Sequence, residues 1–490
     1  MEFIKKHYWI IICLAILFFI LVADSQTQIS LSTFTTAPTN TQPVNTPMPA
    51  PAYATGTPSP TWTPTVPPIT VKPSSLKGVN VTLWYSWTGE TRRVFESLIN
   101  QFNEANSWGI QLTAVQQGDG QALYASLDDL FNNHDMNNLP NLVLASPDQI
   151  SSINDHSEAI VWLTPYLSDP VVGLSAEEQA AIPDVYWDLE RRTKGRISGL
   201  PALRTYHVLF YNQSWARELG YAQTPGNQGE FRQQVCAAAK AITASGDQEN
   251  AGTGGWLINN DPETVLSWMV SFGYNDLPTS EAQSYQFNTL NNQSMLIFLN
   301  NLFNSDCAWI GKSDTPEQYF AARQALVVSG QLQEIPALVN AMRHTGSNDE
   351  WKILPYPTNE DKKRVVSSGY SYAVIDHNDQ ANLAAWLVAR WLNTAENQAR
   401  LANAGGWLPT NRQALELTTD FQYEYPQWKD ALGWMDNVVT APSIGTWQTA
   451  RQVLGDAGWQ VFHPKPTPDS PSTVLELLDS TVSDAVQHRP

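Results

Sequence analysis

The chain has 490 residues, with 47 acidic and 28 basic side chains and a formal charge of −19. That length accommodates about two or three domains. The electrostatic field of a negatively charged protein repels nucleic-acid phosphates and anionic lipid. The composition therefore argues against nucleic acid as a partner.

The N-terminus carries the pattern of an export signal. Lys5 and Lys6 precede an unbroken apolar run over residues 8–23. The run is longer than most signal cores and shorter than a comfortable membrane span. We therefore interpret residues 1–25 as a signal peptide or a retained signal anchor. In both cases the basic residues come first, which places the rest of the chain outside the cytoplasm.

Residues 26–77 are rich in Thr and Pro, and residues 25–71 contain no charged side chain. Proline removes a backbone donor, and the segment has too few large apolar groups to build a core. We expect a disordered tether that holds the body off the membrane or wall and leaves the chain secreted if the signal is cleaved. O-glycosylation of this tether and an unmodified linker both remain open.

Two cysteines lie outside the N-terminal segment, Cys236 and Cys307. In an oxidising compartment such a pair can form a disulfide. Two buried free thiols are the alternative, because the sequence does not give the distance between them.

The body begins with alternating strand and helix patterns. Apolar residues alternate in the strands and recur every three or four positions in the helices. The order predicts βαβ units and a mostly parallel sheet, whose ligands bind beyond the carboxyl ends of the strands. Residues 85–89 and 146–148 should then lie at the mouth of a site. The predicted elements are a strand at 79–85, a helix at 90–103, a strand at 110–115, a helix at 122–131 and a strand at 141–145.

The same patterns continue through the second half of the chain, without an internal repeat. Predicted strands are 207–211, 325–328 and 372–375, and predicted helices are 231–243, 262–272, 293–303, 380–393 and 447–462.

A series of short motifs follows in a specific order. Each is weak alone, but together they extend from Gly78 to the end of the chain. In this order and spacing the chain resembles the bacterial extracellular solute-binding proteins of sugar-type ABC importers, which are similar to maltose-binding protein. The motifs are Val81–Gly89, Phe95–Asn103, Gly109–Leu112, Gly199–Pro201, Leu209–Asn212, Leu219–Gly220, Phe320–Leu326, Ser368–Tyr370, Ala384–Trp386 and Gly405–Thr410.

This resemblance implies an α/β fold of the two-lobed, type II periplasmic-binding-protein class, with a ligand cleft that closes about a hinge. Lobe one would comprise residues 78–203 and 324–369, and lobe two residues 204–323 and 370–490. The implied function is capture of a carbohydrate and its delivery to an ABC permease by a monomer that is not an enzyme and has no cofactor. Residues 223–231 depart from the Pro-Lys-Thr-Trp-x-Glu pattern of the family.

A sugar presents hydroxyl groups and apolar C–H faces, so its site needs planar hydrogen-bonding side chains and aromatic platforms. Tyr85 and Trp87 follow the first strand on one face. Asp148 follows the third strand, where the family commonly has a sugar ligand, although it could also cap a helix. Arg204 and Tyr206 lie where the chain crosses between lobes, and Arg204 is either a ligand contact or an inter-lobe ion pair.

Further candidates come from the second half of the chain, and burial in the core is the alternative for each Trp. Trp407 and Trp447 match late family positions that often face the cleft. Asp261 also precedes Pro262, which is a good helix start. The full set of later candidates is Trp256, Asp261, Gln331, Tyr370, Trp407 and Trp447.

Other functions remain open at this point. The same fold could bind a polyamine, a polyol phosphate or a peptide, or serve a surface sensory or adhesion protein. A glycoside hydrolase could have two carboxylates far apart in the sequence. No nucleophile-elbow, phosphate-loop or zinc-helix motif occurs, so we expect neither a catalytic centre nor a metal site.

Overall fold

The structure is a computed structural model that describes residues 69–192, 195–246, 250–259, 261–312, 315–360, 362–462 and 470–488. The predicted signal segment and residues 26–68 of the predicted tether lie outside the described residues. Among the residues that are described, no helix is long and apolar enough to cross a membrane.

The folded body begins earlier than the sequence predicts. Leu76 is fully buried, and Ile69 and Val71 pack against the same hydrophobic cluster. A single 3-10 turn, Pro73–Ser75, lies between them. Residues 69–77 therefore belong to the body and not to the tether, because their few apolar side chains find a surface on which to pack.

The first third of the chain alternates strands and helices as predicted. In β1, alternate side chains are buried, and the helix that follows buries a stripe that includes Phe95, Leu98 and Phe102. The elements are β1 (Asn80–Tyr85), α1 (Gly89–Ala105), β2 (Gln111–Gln116), α2 (Gly120–Asn132), β3 (Leu142–Ala145), α3 (Pro147–Ser157), α4 (Thr164–Ser168), α5 (Ala176–Ala180) and α6 (Asp184–Glu190).

The middle of the chain starts with a long buried strand and ends with another. The elements are β4 (Leu200–Asn212), α7 (Gln213–Glu218), α8 (Gln228–Ser245), β5 (Gly254–Ile258), α9 (Pro262–Ser271), α10 (Leu290–Asn304), β6 (Ala308–Ile310), α11 (Pro316–Ala321), β7 (Ala325–Gln331), α12 (Ile335–Thr345), β8 (Trp351–Leu354) and β9 (Val365–Val374).

The last part is mainly helical. Its elements are α13 (Asp379–Leu392), α14 (Ala395–Gly405), β10 (Leu408–Pro409), α15 (Arg412–Glu416), α16 (Thr419–Glu424), α17 (Pro426–Ala431), β11 (Val438–Thr440), α18 (Trp447–Gln460) and α19 (Pro471–Gln487). The predictions found most of the long helices. They missed the 17-residue α19 and also α3, α12 and α14, together with short elements such as β5 and β6.

The strands follow the order β2-β1-β3-β9-β4-β7-β5-β6. Three parallel strands lie at each end, and β9 and β4 run antiparallel between them. The sheet is curled, and the fold is the two-lobed α/β arrangement that the resemblance implied. The first half of β4 pairs with β9, and its second half pairs with β7 and β8. A single strand thus extends from one lobe into the other.

Two returning segments bear on the lobe division. β7 pairs in parallel with β5, and α13 buries its apolar face in the first hydrophobic cluster with β1 and α1. From this packing we propose that lobe one comprises residues 69–203 and 367–407, and lobe two residues 204–366 and 408–488. Helical periodicity shows that a face is buried but not which sheet covers it.

The structure contains the disulfide between Cys236 and Cys307, whose Cα atoms are 4.4 Å apart. It joins α8 to the residue before β6, within lobe two. Both elements also pack on the hydrophobic cluster that contains Trp256 and Phe231.

Candidate functional site

A cavity of about 670 Å³ lies between the lobes, at the carboxyl ends of β1 and β3. In lobe one it is lined by residues 86–91, by the start of α2, and by Ser146 and Gln149. From the crossing strands β4 and β9 it receives His207 and residues 368–370. This is the position at which ligands bind in open α/β sheets. The residues that follow β1 and β3 therefore lie next to the crossing strands β4 and β9.

Lobe two closes the other side of the cavity. Glu263 at the start of α9, Gln331 at the end of β7, and Arg451 on α18 line it. Pro336 and Ala337 of α12 form part of the rim. The cavity therefore changes shape when the lobes move relative to each other.

Three aromatic rings form one wall of the cavity. Trp87 and Tyr370 have ring centroids 6.1 Å apart, Trp87 and Trp407 6.2 Å, and Tyr370 and Trp407 5.5 Å. Phe95 holds Trp87 from behind in an edge-to-face contact at 5.0 Å. Such a wall offers apolar surface with fixed orientation.

Gly369 makes the close approach of the two crossing strands possible. Its φ is +152°, and a Cβ atom there would lie 2.2 Å from the carbonyl oxygen of Leu203. Only glycine fits this position, and its lack of a side chain leaves room in the cavity beside Tyr370.

Several polar groups that line the cavity have no partner among the described residues. These include the ring N–H of Trp87, the hydroxyl of Ser146 and the amide oxygen of Gln333. By contrast, Gln149 donates from Nε2 to the carbonyl of Gly120 at 2.9 Å. A buried donor without an acceptor is costly, so a bound ligand that supplies the partner would be stabilised.

One guanidinium bridges the lobes inside the site. Arg451 Nε lies 3.4 Å from Asp148 Oδ2 of lobe one, and its Nη1 lies 3.6 Å from Glu263 Oε1 of lobe two. Asp148 is 4% exposed, so this ion pair is shielded from solvent. Arg451 Nη2 also donates to Gln448 at 2.7 Å, and Gln448 donates to Gln121 of lobe one at 2.7 Å.

Burial controls the protonation of the ionisable groups here. Burial, followed by the charge of Asp261, raises the pKa of Glu263 to about 7. Burial also raises the pKa of Glu334 to about 8 and lowers that of His207 to about 4. His207 is therefore neutral at neutral pH and shares a hydrogen bond of 2.8 Å between Nε2 and the hydroxyl of Ser368.

The structure brings four of the predicted residues to the cavity wall: Trp87, Gln331, Tyr370 and Trp407. Two more lie directly behind it. Asp148 contacts Arg451, and Asp261 accepts a hydrogen bond of 3.1 Å from Gln331. Asp261 also caps α9 through the N–H of Glu263, which is the helix-start role left open by the sequence.

Two predicted residues near the hinge point away from the cavity. Arg204 is fully buried, 3.6 Å from Glu190 Oε1, and it packs over the ring of Tyr186. Arg204 thus forms a buried ion pair with Glu190 and is not among the residues that line the cavity. Tyr206 is buried in a cluster with Val208.

Three further predicted aromatic residues lie in the cores. The Tyr85 hydroxyl donates to Glu96 at 2.9 Å, and its ring packs on Phe95. Trp256 donates to the hydroxyl of Ser329 at 3.0 Å within the core of lobe two. Trp447 stacks on Tyr285, with 6.0 Å between ring centroids. All three are almost fully buried, which is the alternative stated for the Trp candidates.

The sequence predictions missed His207, Glu263 and Arg451. Arg451 follows Trp447 by four positions on the predicted helix, so both residues lie on one helical face, and that spacing could have pointed to it. Glu263 is at the start of a predicted helix next to Asp261. His207 lies inside an apolar strand pattern and gave no signal.

A second cavity, of about 910 Å³, is larger but has a different setting. It lies on the other side of α3, where Ser151 faces residues 440–444. Its most prominent ring, Trp162, is covered by the guanidinium of Arg196 at 3.9 Å. Its lining includes residues that follow the short edge strand β11 but none that directly follows β1 or β3, so the smaller cavity is the candidate ligand site. Among the described residues no group of His, Cys, Asp and Glu could hold a metal ion.

A sequence profile described as bacterial extracellular solute-binding protein matches residues 97–456, which is well over half of the chain. The chain belongs to this family. Its members are binding proteins that lie outside the cytoplasm. No curated protein sequence matches the chain.

Solved structures of this fold confirm the architecture. The GacH receptor of Streptomyces glaucescens, described free and with acarbose, is 14% identical, with a TM-score of 0.68 over 84% of this chain and 99% of that one. The sugar-binding protein MalE of Xanthomonas citri is 17% identical, with a TM-score of 0.67 over 84% and 98%. UgpB of Mycobacterium tuberculosis in complex with glycerophosphocholine is 13% identical, with a TM-score of 0.67 over 83% and 98%. At these identities the likeness establishes the fold.

Proposed function

We propose that this protein captures a carbohydrate between its two lobes outside the cytoplasm and delivers it to an ABC-type permease. The observation that carries the proposal is the cavity itself. It combines three aromatic rings with amide and hydroxyl side chains, and some of its buried polar atoms have no partner. Hydroxyl groups can complete those hydrogen bonds, and sugar C–H faces can pack on the rings.

The dimensions and the relatives support a small-molecule ligand. A volume of about 670 Å³ is within the usual range for ligand sites. Two of the three structural neighbours named above bind acarbose or sugar, according to their descriptions.

A phosphodiester is the second candidate, because one neighbour binds glycerophosphocholine. Charge argues against it in this chain. Arg451 is the one guanidinium that lines the described part of the cavity, and it already contacts Asp148 and Glu263. A phosphate would have to displace one of these carboxylates.

Thermal melting of the purified full-length protein tests the proposal. A panel of mono- and oligosaccharides, with glycerophosphocholine and spermidine added, should contain a saccharide that raises the melting temperature. Ligand at 100 times its Kd adds about 2.7 kcal/mol to the free energy of unfolding. A shift by glycerophosphocholine or spermidine without any saccharide shift would overturn the carbohydrate assignment. Hydrolysis products of the bound saccharide would overturn the assignment as a non-enzyme.

We also propose that the N-terminal segment tethers the body to the cell surface. The export pattern and the Thr/Pro-rich composition of residues 1–68 support this proposal. Cell fractionation with N-terminal mass analysis distinguishes the two forms. An intact N-terminus in the membrane fraction indicates an anchor, and a chain that begins near residue 26 in the medium indicates a secreted protein.

A further inference from the structure

We propose, resting on the carbohydrate function above, that the cleft selects saccharides with a protonated amino group over their neutral counterparts. The inference rests on the balance of charges around the cavity, on unpartnered buried atoms in it, and on its aromatic wall.

Carboxyl groups outnumber cations at the site. Arg451 is the single guanidinium that lines the described part of the cavity, and it lies between Asp148 and Glu263. Asp261 lies behind Gln331, from which it accepts a hydrogen bond. No described Lys or Arg forms an ion pair with Asp261, and Glu334 adds no charge at neutral pH because burial raises its pKa to about 8.

The other charged groups nearby do not restore the balance. His207 on β4 is neutral at neutral pH, because burial holds its pKa at about 4. Glu90 at the rim pairs with Arg93 on the same helix. Tyr370 on β9 carries no charge, because burial raises its pKa. A ligand cation is therefore the missing counter-charge for this cluster.

Unsatisfied groups at the site offer partners to such a ligand. The ring N–H of Trp87, which lines the cavity, has no acceptor among the described residues, although its side chain is only 4% exposed. The carboxyl of Glu263 also lines the cavity. A saccharide with a hydroxyl group and an ammonium group offers an acceptor to the first group and a charge partner to the second.

The aromatic wall favours the same chemistry. Trp87, Tyr370 and Trp407 lie within 6.2 Å of one another and all line the cavity. Aromatic ring faces attract cations, and the attraction grows when the cation is desolvated. Acidic side chains next to such rings recognise an amine more strongly than a hydroxyl group of equal size.

Isothermal titration with matched pairs tests the inference on the full-length protein. Glucosamine, galactosamine and mannosamine are each compared with glucose, galactose and mannose, and deacetylated chitobiose with cellobiose. We expect at least one amino saccharide to bind about tenfold more tightly than its neutral twin, which is 1.4 kcal/mol. The preference should persist in about 1 M salt, where the Debye length is about 3 Å and the net charge of the surface no longer contributes.

Glu263→Gln should reduce this preference by roughly tenfold, because it removes a carboxylate that faces the amine. Glu396→Gln, on the exposed side of α14, is the matched control and should leave the preference as it is. A neutral twin that binds as tightly as its amino form overturns the inference and leaves the carbohydrate function intact. If no saccharide of either kind binds, the carbohydrate function is overturned as well.

Discussion

Individual side chains near this site line the cavity, pack in a core, or do both. Trp87 does both, because its ring packs on Phe95 and lines the cavity, and its ring N–H has no partner among the described residues. Truncating such a ring to alanine would create a core cavity and cost about 3–5 kcal/mol of stability. A smaller change is needed to separate the two roles.

Trp87→Phe keeps an aromatic ring against Phe95 and removes the N–H donor together with the five-membered ring of the indole. We expect the affinity for the ligand to fall about tenfold, because a buried acceptor on the ligand loses its partner. Titration calorimetry measures the change. Trp309→Phe is the control, since Trp309 is also buried with an unpartnered ring N–H but lies outside the cavity. Equal losses in both variants would contradict a ligand contact at Trp87.

Glu263 predicts a specific dependence of stability on pH. Its folded pKa of about 7 lies above the ordinary value of 4.5, so the folded state holds the proton more tightly. The associated stability is present below pH 4.5 and is lost as the pH rises through about 7. The loss is about 3 kcal/mol.

Denaturant unfolding of the wild type and of Glu263→Gln between pH 4 and pH 8 measures this effect. The stability advantage of the wild type over the variant should fall by about 3 kcal/mol across that range. Glu396→Gln is the control, because it makes the same carboxyl-to-amide change at an exposed position away from the cavity. A difference that stays constant with pH would mean that the Glu263 carboxyl is well solvated.

At the scale of elements, α3 shows how one helix serves two purposes. Its first turn brings Gln149 to the cavity and Asp148 to Arg451. Its next turn contacts the other lobe, because the Ser151 hydroxyl donates to the carbonyl of Ser443 at 2.7 Å. The helical repeat places these groups on neighbouring faces, so one helix carries both a residue of the cavity and a contact with the other lobe.

The disulfide is the covalent link between α8 and β6, and it closes a loop with a sequence separation of 71 residues. The chain-entropy account predicts that such a loop stabilises the folded state by about 4 kcal/mol. The double variant Cys236→Ala with Cys307→Ala should lose a similar amount in denaturant unfolding. Ligand affinity should change little, because the disulfide lies in lobe two away from the cavity. A large loss of affinity would show that the disulfide also positions the site.

At the scale of the whole molecule, the lobes meet through crossing strands and through a few side-chain contacts beside the cavity. The backbone connection is continuous, because β4 pairs with strands of both lobes. The side-chain contacts include Asp148 with Arg451, Gln121 with Gln448, and Ser151 with Ser443. Hinge motion leaves the strand pairing intact. We therefore expect closure of the lobes to depend on the side-chain contacts.

Ser151→Ala should shift the lobes toward an open arrangement without touching the ligand. The lost hydrogen bond amounts to about 1 kcal/mol, or roughly a fivefold loss of affinity, and the radius of gyration of the free protein should increase. Ser157→Ala is the control on the same helix, because its hydroxyl bonds to Ile153 within lobe one. Small-angle scattering and titration check both variants. If the radius of gyration and the ligand affinity of Ser151→Ala are unchanged, the contact between Ser151 and Ser443 does not contribute to closure.

The sequence alone determined the elements with strong patterns. The buried stripe of α1 and the alternation of β1 follow from local periodicity, and so does the βα order that places a site after β1 and β3. Trp87 could be predicted because it directly follows a strand whose carboxyl end must face the cleft. The disulfide was one of two open alternatives, since only the export pattern of the N-terminus favoured it.

Only the tertiary structure decided which buried aromatic residues line the cavity and against which strands the returning segments pack. Trp256 and Trp407 have equally apolar surroundings in sequence, yet one packs in the core of lobe two and the other lines the cavity. Arg451 and Asp148 are about 300 residues apart and meet because two lobes close on each other. Such contacts depend on the relative placement of whole sheets, which no local pattern encodes.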